Sequence, residues 1–515
     1  MSADFIVIGA GHNGLVCAAY LARSGRSVLV LESCDQVGGA AATREFAPGF
    51  KVSAGAHVLH MMPSDLIAEL SLEKHGLKFA ADSMGTVALS PDRAPFVVDA
   101  AGLAAVSARD AAAYVKYTAQ MRRFAAALLP MLNSPPPRLG TDALKDKFAL
   151  LRMGWQIRRL GRRDMRELLR IAGMNAYDLL EEHFETAELK GALGLDATLG
   201  TNFGPRTPGT VLSLLYRLAC ESGAGHRMLQ AQGGMGALCT ALAASARASG
   251  AVIRTGATVA KITVADDNAA GVLLSSGEEI KAGAVISGAD PKTTFLSLLG
   301  AQHLDTGFVR RVTHLRNRGL TAKLHLALDR MPTFTGVQNA RGAGRLVIAP
   351  SLDHIERAYN HAKYGEFSSA PVLEITLPTA SDATLAPAGK HVLSAVVQYA
   401  PYDLKGGWAA ARQRFADLAI QSIDRHAPGL AASIVAQQLL TPADIEREFK
   451  IAGGHWHHAE FAFDQFLMVR PVPGAAQYST PLAGLFLCGA GSHPGGGVTG
   501  IAGRNAARRI IAGGS

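Results

Sequence analysis

Residues 4–32, DFIVIGAGHNGLVCAAYLARSGRSVLVLE, have the pattern of a strand, a glycine turn, a helix and a second strand. An apolar β-branched run breaks at a glycine, and the Ala- and Leu-rich helix that follows ends at Gly25, where a glycine cap fits. This order of elements predicts an α/β protein whose sheet begins with a nucleotide-binding unit.

The glycine turn has the spacing GxGxxG, with Gly9, Gly11 and Gly14. The first glycine permits a tight turn, the second lets the backbone approach a pyrophosphate, and the third lets helix and strand pack closely. The helix would then direct free N–H groups of its first turn, at His12 and Asn13, toward the phosphates. The motif therefore predicts a dinucleotide site.

Glu32 ends the second strand at the distance expected for a ribose ligand. A carboxylate there accepts hydrogen bonds from the adenosine ribose and repels a 2′-phosphate, which disfavours NADP. The pair Gly38 and Gly39 follows, and then Thr43, where an NAD domain would enter another long helix. A second glycine turn can admit another approach to the same diphosphate, although a plain surface turn is the alternative. A second glycine turn directly after the second strand, in place of a long helix, favours FAD over NAD.

Composition limits the function classes. With 515 residues, 48% of them hydrophobic and 18% charged, the chain is long enough for two or more domains and apolar enough for an oily substrate. The net charge of +9 comes without a zinc-finger pattern or interleaved aromatic and basic residues, so no nucleic-acid partner is expected. The start, MSAD, lacks the basic residues of a signal peptide, which favours a cytoplasmic protein.

The five cysteines are scattered without CxxC or CxxxxC spacing, which indicates neither a zinc site nor a redox-active disulfide. They are expected to be small buried hydrophobic residues.

Three further segments contain glycine turns: QGGMGALCTALAASARASGAVIRTGATVAKI (232–262), AVISGADPKTTF (284–295) and CGAGSHPGGGVTG (488–500). Together with the first turns they resemble the FAD-binding elements of the phytoene desaturase and carotenoid oxidoreductase superfamily. The nearer match is its phytoene-dehydrogenase-related branch, whose members carry the name pyridine nucleotide-disulfide oxidoreductase domain-containing protein 2. Residues 174–185 and 463–473 also resemble that branch, so the likeness covers most of the chain.

The resemblance implies a Rossmann-like FAD-binding domain of the glutathione-reductase and amine-oxidase type, interleaved with an α+β substrate domain. The FAD-binding domain would comprise residues 1–75, 225–295 and 466–515. The substrate domain would comprise residues 76–224 and 296–465.

The resemblance also assigns cofactor contacts. The pyrophosphate would lie at the GxGxxG turn and the ribose at Glu32, with further phosphate and ribityl contacts at Gly38, Gly39 and Thr43, and a backbone contact to the adenine at Val259. The segment from Gly489 through Gly491 to Gly497 would pass beside the flavin. A helix from about Val498 would direct its amino terminus at the N1 and C2 carbonyl edge, where its dipole stabilises the anionic reduced ring.

The expected activity is FAD-dependent dehydrogenation or oxidation of a hydrophobic, isoprenoid- or carotenoid-like substrate by hydride transfer to flavin N5. The chain has no CxxxxC and no second strand–GxGxxG–helix unit, so oxygen or a quinone is the expected electron acceptor. The alternatives are a flavin amine oxidase, a carotenoid ketolase or isomerase, and a non-catalytic flavoprotein with a role in assembly. Ala490 counts against the amine oxidase, which usually carries an acidic residue near this position.

Two side chains are candidates for catalysis. Lys323, in LTAKLHLALD, shares a strand face with His325 and resembles the lysine that holds a water near N5 in flavin amine oxidases; a surface lysine is the alternative. His457, in GGHWHHAEF, could act as an acid or base. The spacing of these histidines is not that of HExxH, so no metal is expected. His57 and His493 are weaker candidates.

The positive charge is concentrated in residues 144–172, LKDKFALLRMGWQIRRLGRRDMRELLRIA. A single helix here would place Arg158, Arg162, Arg166 and Arg170 in one i, i+4 row. A basic amphipathic helix with a tryptophan near one end can lie on anionic lipid; a solvated helix packed on the substrate domain is the alternative. The sequence gives no indication of the oligomeric state.

Overall fold

A computed structural model describes residues 2–337 and 344–513. The strands are β1 (Ser2–Ile8), β2 (Val28–Leu31), β3 (Thr43–Ala47), β4 (Phe50–Ser53), β5 (Phe79–Ala81), β6 (Thr86–Leu89), β7 (Phe96–Val97), β8 (Gln230–Ala231), β9 (Val252–Arg254), β10 (Val259–Ala265), β11 (Asn268–Leu274), β12 (Glu279–Ser287), β13 (Thr321–Leu328), β14 (Arg345–Ile348), β15 (Val372–Thr376), β16 (His391–Gln398), β17 (Ile434–Leu440) and β18 (Leu485–Leu487).

The helices are α1 (His12–Arg23), α2 (Ser64–Glu69), α3 (Ala100–Ala104), α4 (Ala108–Leu132), α5 (Leu144–Arg158), α6 (Gly161–Ile171), α7 (Ala176–His183), α8 (Ala187–Thr198), α9 (Thr210–Gly223), α10 (Met235–Ala248), α11 (Thr306–Thr313), α12 (Leu352–Lys363), α13 (Trp408–Asp424), α14 (Pro442–Phe449) and α15 (Ile501–Ile511). The mixture of strands and helices confirms the predicted α/β class.

The first sheet is built on a parallel core. Strands β18, β12, β1, β2 and β9 run parallel, and β10 and β11 extend the sheet by antiparallel pairing onto the start of β12. Helices α1, α10 and α15 contribute to one hydrophobic cluster with Val7 and Val30, while Ile6 and Leu29 pack into a second cluster on the opposite face. Burial on both faces explains why β1 and β2 are continuous apolar runs. Glycine turns follow the carboxyl ends of β1, β12 and β18, whereas the turn at Gly233 and Gly234 follows β8, which pairs with β5 in a separate sheet.

The second sheet has the order β17-β13-β16-β15-β14-β6-β7. Alternate residues of its central strands, such as Leu324, Ile375 and Ala395, pack on one face into a hydrophobic cluster with α13 residues. The other set of alternate residues includes the buried polar side chains of Lys323 and Glu374. One face of this sheet is therefore apolar and the other carries charge.

Two predicted helices differ from the observed ones. The prediction of one helix over residues 144–172 is wrong, because α5 ends at Arg158 and α6 begins at Gly161, which has a left-handed φ of 84°. The row from Arg158 to Arg170 is thus divided between two helices. The last helix, α15, begins at Ile501 rather than near Val498, since Gly500 at its amino terminus has a φ of 69°.

No helix in residues 2–337 and 344–513 has the length and hydrophobicity needed to cross a membrane. The apolar stretch at residues 5–22, which has the length of a span, is divided between β1 and α1. The predicted domain boundaries stay a prediction.

Candidate cofactor and substrate site

A cavity of ≈ 470 Å³ extends from the glycine turns of the first sheet to the charged face of the second. Its lining comes from the beginning, middle and end of the chain. The predicted site residues that line it are Gly9, Gly11, His12, Asn13, Gly14, Glu32, Gly38, Gly39, Val259, His457, Gly489, Gly497 and Val498, together with the weaker candidate His57.

The first two glycine turns lie side by side. Gly38 donates its N–H to the carbonyl of Ala10 at 2.9 Å, and Gly11 and Gly38 form an isolated parallel bridge. Glu32 supports the turn, because its Oε2 accepts the N–H of Ala10 at 2.7 Å. The buried carboxylate thus holds the turn in place while it faces the cavity.

Two glycines of the GxGxxG motif, Gly14 and Gly11, are glycine for different reasons. A Cβ on Gly14 would overlap the carbonyl oxygen of Gly9, so this glycine lets α1 pack on the turn. A Cβ on Gly11 would meet no atom within 4 Å, and its φ of −68° suits any residue. The fold therefore requires Gly14, whereas Gly11 keeps space open in the cavity.

Buried polar atoms at the start of α1 lack partners among the described residues. Both side-chain amide atoms of Asn13 and the Nε2 of His12 are buried without a hydrogen bond. Burial is the main cause that lowers the pKa of His12 to about 4, so the ring is neutral and has an atom free to bond. Buried polar groups normally have partners, and a phosphate-bearing ligand at a helix amino terminus would supply them. These residues fit the pyrophosphate of FAD.

The carboxyl-terminal glycines pack mainly against protein. A Cβ on Gly489 would overlap the backbone of Gly288, and one on Gly496 would lie 2.6 Å from the Cβ of His457. A Cβ on Gly491 would lie 2.5 Å from the Cδ of Pro291. Because these residues lack side chains, the segment can pack closely between its neighbours. Close packing is thus a second reason for the glycines, beside the predicted one of leaving space for the flavin ring.

Three of the principal predicted residues do not line the cavity, and neither does the weaker candidate His493, which is described below. Thr43 uses its hydroxyl to donate to the carbonyl of Gly233 and to accept from the N–H of Gly236, both at 2.9 Å, which ties β3 to the start of α10. Gly491 packs on Pro291, as above. Lys323 contacts His57, which lines the cavity, but does not line the cavity itself. A direct FAD contact from Thr43 or Gly491 is therefore not supported by this geometry.

Lys323 is fully buried, which excludes the surface-lysine alternative. The sheet register places it in one row with Val396 and Glu374, both of which line the cavity. Its Nζ lies 2.6 Å from Nδ1 of His57, and Nε2 of His57 lies 2.8 Å from Oε1 of Glu374. His325, on the same face, contacts Ser394 instead.

Charge and burial determine the protonation of this group. Burial, followed by the charge of Lys323, lowers the pKa of His57 to about 4, and burial lowers the pKa of Lys323 to about 7. Burial acts to raise the pKa of Glu374, but Arg345 and His57 outweigh it and hold that pKa well below its usual value. At neutral pH the arrangement fits a neutral His57 that donates from Nε2 to Glu374 and accepts at Nδ1 from Lys323.

The charged row continues along the cavity. Arg345, fully buried, bonds Glu374 at 2.5 Å and Asp196 at 2.6 Å, and Asp196 lies 3.4 Å from Arg217. Arg217 in turn bonds Glu221 at 2.9 Å. Glu374, Asp196 and Glu221 each pair with at least one arginine, so the row is a network of ion pairs.

A second wall is aromatic. Tyr216, whose hydroxyl donates to the carbonyl of Gly496 at 2.8 Å, lies with its ring 5.0 Å from that of Phe461, and the ring of Phe461 is 4.8 Å from that of His457. All three side chains line the cavity. The Nδ1 of His457 is buried and has no hydrogen-bond partner in the part of the chain that the structure describes, and burial lowers the pKa of this histidine well below its ordinary value.

Arg470 holds this wall against the carboxyl-terminal segment. The buried guanidinium donates to the carbonyls of His457 at 2.6 Å and Ala490 at 3.0 Å. His493 is placed differently: its ring nitrogens lie near the carbonyls of Leu467 and Met131, so it acts as a structural residue.

The ion-pair network was not predicted from sequence. The sequence does contain a pattern from which part of the network could have been predicted. The apolar strands TAKLHLAL, RLVI and VLEIT contain Lys323, Arg345 and Glu374 as isolated charges. Charged residues are almost never fully buried unless they are paired, so isolated charges in buried strands indicate partners. Asp196 and Arg217 lie on helices of mixed composition and gave no such signal.

Comparisons with known proteins agree with this geometry. The sequence profile described as flavin containing amine oxidoreductase matches residues 14–397. The chain is 36% identical to a rat protein named pyridine nucleotide-disulfide oxidoreductase domain-containing protein 2, over 99% of this chain and 93% of that protein. It is 26% identical to the phytoene desaturase (lycopene-forming) of Pseudescherichia vulneris, over 96% of each chain.

A solved structure shares the fold. Cyclohexylamine oxidase from Brevibacterium oxydans IH-35A superimposes with a TM-score of 0.60 and 16% identity, over 99% of each chain. The predicted superfamily, its branch, the Rossmann-like FAD-binding fold and the FAD cofactor are confirmed. The chain is an FAD-dependent oxidoreductase and belongs to the flavin containing amine oxidoreductase family.

Proposed function

We propose that the protein dehydrogenates or oxidises a hydrophobic, isoprenoid-type substrate and passes the electrons to oxygen or a quinone. The observation that carries the proposal is that one cavity contains both the glycine turns for the cofactor and an aromatic wall. Bound FAD supplies a hydride acceptor, the N5 of its ring. The chain's own residues then have three tasks: they hold an apolar substrate, exclude water and accept a proton.

The walls of the cavity favour an elongated apolar substrate. Met61, Leu199, Tyr216, Phe461 and Val396 line it. Apolar and aromatic side chains bind such a substrate through burial of its surface and keep water from the reacting carbon.

The charged end of the cavity favours a substrate with one hydrogen-bonding group. Ser213 and His60 line the cavity, and the hydroxyl of Ser213 and the Nε2 of His60 are buried without a hydrogen-bond partner among the described residues. Ser213 lies about one helical turn before Arg217 on α9, and the Nε2 of His60 lies 3.8 Å from Oε1 of Glu221, the ion-pair partner of Arg217. A hydroxyl or carbonyl at the end of an isoprenoid chain would satisfy them.

His457 is the side chain proposed to accept the proton. It is neutral, lines the cavity and has an Nδ1 without a hydrogen-bond partner in residues 2–337 and 344–513. Dehydrogenation removes two hydrogens from adjacent carbons, one as a hydride and one as a proton. Oxygen that takes up the two electrons and two protons becomes hydrogen peroxide, and a quinone becomes the quinol.

A flavin amine oxidase is the second candidate. The family description and the aromatic residues Tyr216, Trp456 and Phe461 at the cavity favour it. The cavity-lining carboxylates Asp196 and Glu374 could attract an ammonium group, but both are already paired with arginine. Such pairing leaves little net negative charge for an amine.

The two candidates differ in which compounds reduce the flavin. The purified yellow protein would be mixed without oxygen with prenyl alcohols, polyenes and aliphatic amines, and the visible flavin absorbance recorded. We expect bleaching by prenyl compounds and none by amines. Bleaching by amines alone would establish the second candidate, and bleaching by neither class while dithionite still reduces the flavin would contradict both.

A further inference from the structure

Helix α5 exposes an apolar stripe on the protein surface. Leu144, Phe148, Leu151 and Trp155 are 71%, 67%, 69% and 65% exposed. Their spacing of four, three and four residues places all four within an arc of roughly 60° at about 100° per residue. We call this stripe the α5 outer face.

The opposite side of the same helix is attached to the protein. Asp146 is buried and its Oδ1 accepts a hydrogen bond from Nε2 of Gln477 at 3.1 Å. Ile157 packs against the hydrophobic cluster that contains Leu168 and Ile171 of α6. The helix therefore has two apolar sides, one that packs inward and one that faces solvent.

Cations border the α5 outer face on both sides. Lys145, Arg152 and Arg159 recur every seven residues along one border, and Lys147 and Arg158 lie along the other. Arg152, Arg158 and Arg159 are exposed and have no ion-pair partner among the described residues. The only acidic residue of α5 is the buried Asp146.

The start of α6 extends the positive region. Arg162, Arg163 and Arg166 are exposed and likewise have no acidic partner within the described ranges, whereas Arg170 is paired with Glu167 and Glu182. The unpaired cations thus lie at the α5 end of this segment and not along its whole length.

We propose that the α5 outer face docks the protein on an anionic lipid bilayer, with the helix axis in the membrane plane. An interfacial helix of this kind buries its apolar stripe at the boundary of headgroups and acyl chains. The flanking lysine and arginine side chains lie at headgroup depth, where they meet lipid phosphates. Trp155, exposed in the stripe, has the amphipathic ring that favours this depth.

A second copy of the chain fits this face less well. Because both borders are mainly basic, pairing two such faces in either direction would bring cations against cations; among the described residues only Lys147, paired with Asp142 at 2.9 Å, has an acidic neighbour in these borders. An anionic bilayer supplies both complements at once, the apolar layer and the negative charge. The proposal does not depend on the substrate or on the reaction of the cavity.

The test uses the flavin-loaded protein and sedimentation with vesicles. One set of vesicles contains phosphatidylcholine alone and the other phosphatidylcholine with phosphatidylglycerol. We expect binding to the anionic vesicles about 10-fold tighter or more, and a loss of about 10-fold or more in the double variant Phe148→Ser/Trp155→Ser. Arg152→Gln/Arg159→Gln should weaken binding to the anionic vesicles only and make it less sensitive to salt.

Tyr364→Ser is the matched control, since Tyr364 is 70% exposed at the end of α12 and does not belong to the α5 outer face. It should bind vesicles like the unchanged protein, and all variants should keep their FAD. Equal binding by the Phe148→Ser/Trp155→Ser variant, or no binding of the unchanged protein to anionic vesicles, would overturn the proposal. A dimer that the same variant dissociates, measured by light scattering without any vesicle binding, would also overturn it.

Discussion

Substitutions of two glycines in one motif should have opposite effects on folding and on cofactor binding. Gly11→Ala places a methyl group in open cavity at an ordinary φ, whereas Gly14→Ala places one against the carbonyl of Gly9. If Gly11 leaves space for a ligand and Gly14 leaves space for the protein, the first variant should fold normally and bind FAD weakly. The second should be less stable even without FAD.

The magnitudes follow from the local geometry. Gly11 precedes α1, where alanine is a poorer cap by up to about 1 kcal/mol. Alanine also restricts the unfolded chain, which recovers about 0.4–1 kcal/mol, so the net change in unfolding free energy is near zero. A methyl group under the pyrophosphate would remove one charge-assisted hydrogen bond, worth about 1.5–3 kcal/mol. FAD should then bind roughly 10- to 150-fold more weakly.

For Gly14→Ala the favourable and unfavourable contributions to the unfolding free energy do not cancel. Alanine gains up to about 1 kcal/mol of helix propensity over glycine, but overpacking against backbone that cannot rotate away costs roughly 1–3 kcal/mol or more. We therefore expect a net loss of stability.

The assay is urea unfolding of the FAD-free proteins together with titration of FAD by quenching of flavin fluorescence. The reasoning would be refuted if Gly11→Ala bound FAD as tightly as the unchanged protein. It would also be refuted if Gly11→Ala destabilised the FAD-free protein as much as Gly14→Ala.

Three further predictions concern the charged face and the aromatic wall. The pKa of Lys323 is about 7 in the folded protein and 10.5 ordinarily, so between these pH values the unfolded chain binds more protons than the folded one. Urea unfolding should therefore show a larger free energy of unfolding for Lys323→Met than for the unchanged protein. The difference should be greatest below pH 7, at most roughly 5 kcal/mol, and should shrink toward pH 10.5. A constant difference across this range would contradict a buried Lys323 that is neutral at high pH. Arg345→Met leaves Glu374 and Asp196 without their shared partner, so thermal unfolding should show a loss of about 3–5 kcal/mol; a loss below about 1 kcal/mol would contradict the network. His457→Gln should slow anaerobic flavin reduction by about 100-fold or more with FAD content retained, and an unchanged rate would remove His457 from the chemistry.

The FAD-binding side of the fold could be predicted from sequence because it depends on backbone turns, and these turns require glycines at recognisable positions. Gly9, Gly11 and Gly14 are recognisable at fixed spacing, and the strand before them and Glu32 after them give the motif its context. The breaks in helices were less predictable. Gly161 lies inside a basic periodic run, and only its left-handed φ shows that the run is two helices.

The substrate side depends on side chains that meet from distant strands. Lys323 and Glu374 share a row through Val396, and this register follows from strand order and not from any local pattern. For the same reason, Lys323 could not be distinguished from a surface lysine by sequence alone. Thr43 shows the reverse case: its place beside a glycine turn favoured a cofactor contact, but its hydroxyl is used by α10.

The central claim is that turns from the start, middle and end of the chain hold one FAD and direct its ring toward the aromatic wall. An experimental structure of the FAD-bound protein tests this most directly. It should show the adenine beside Val259, the pyrophosphate at Gly11 and the start of α1, and the ring between Val498 and His457. A ring found outside the cavity, or a pyrophosphate away from α1, would contradict the account.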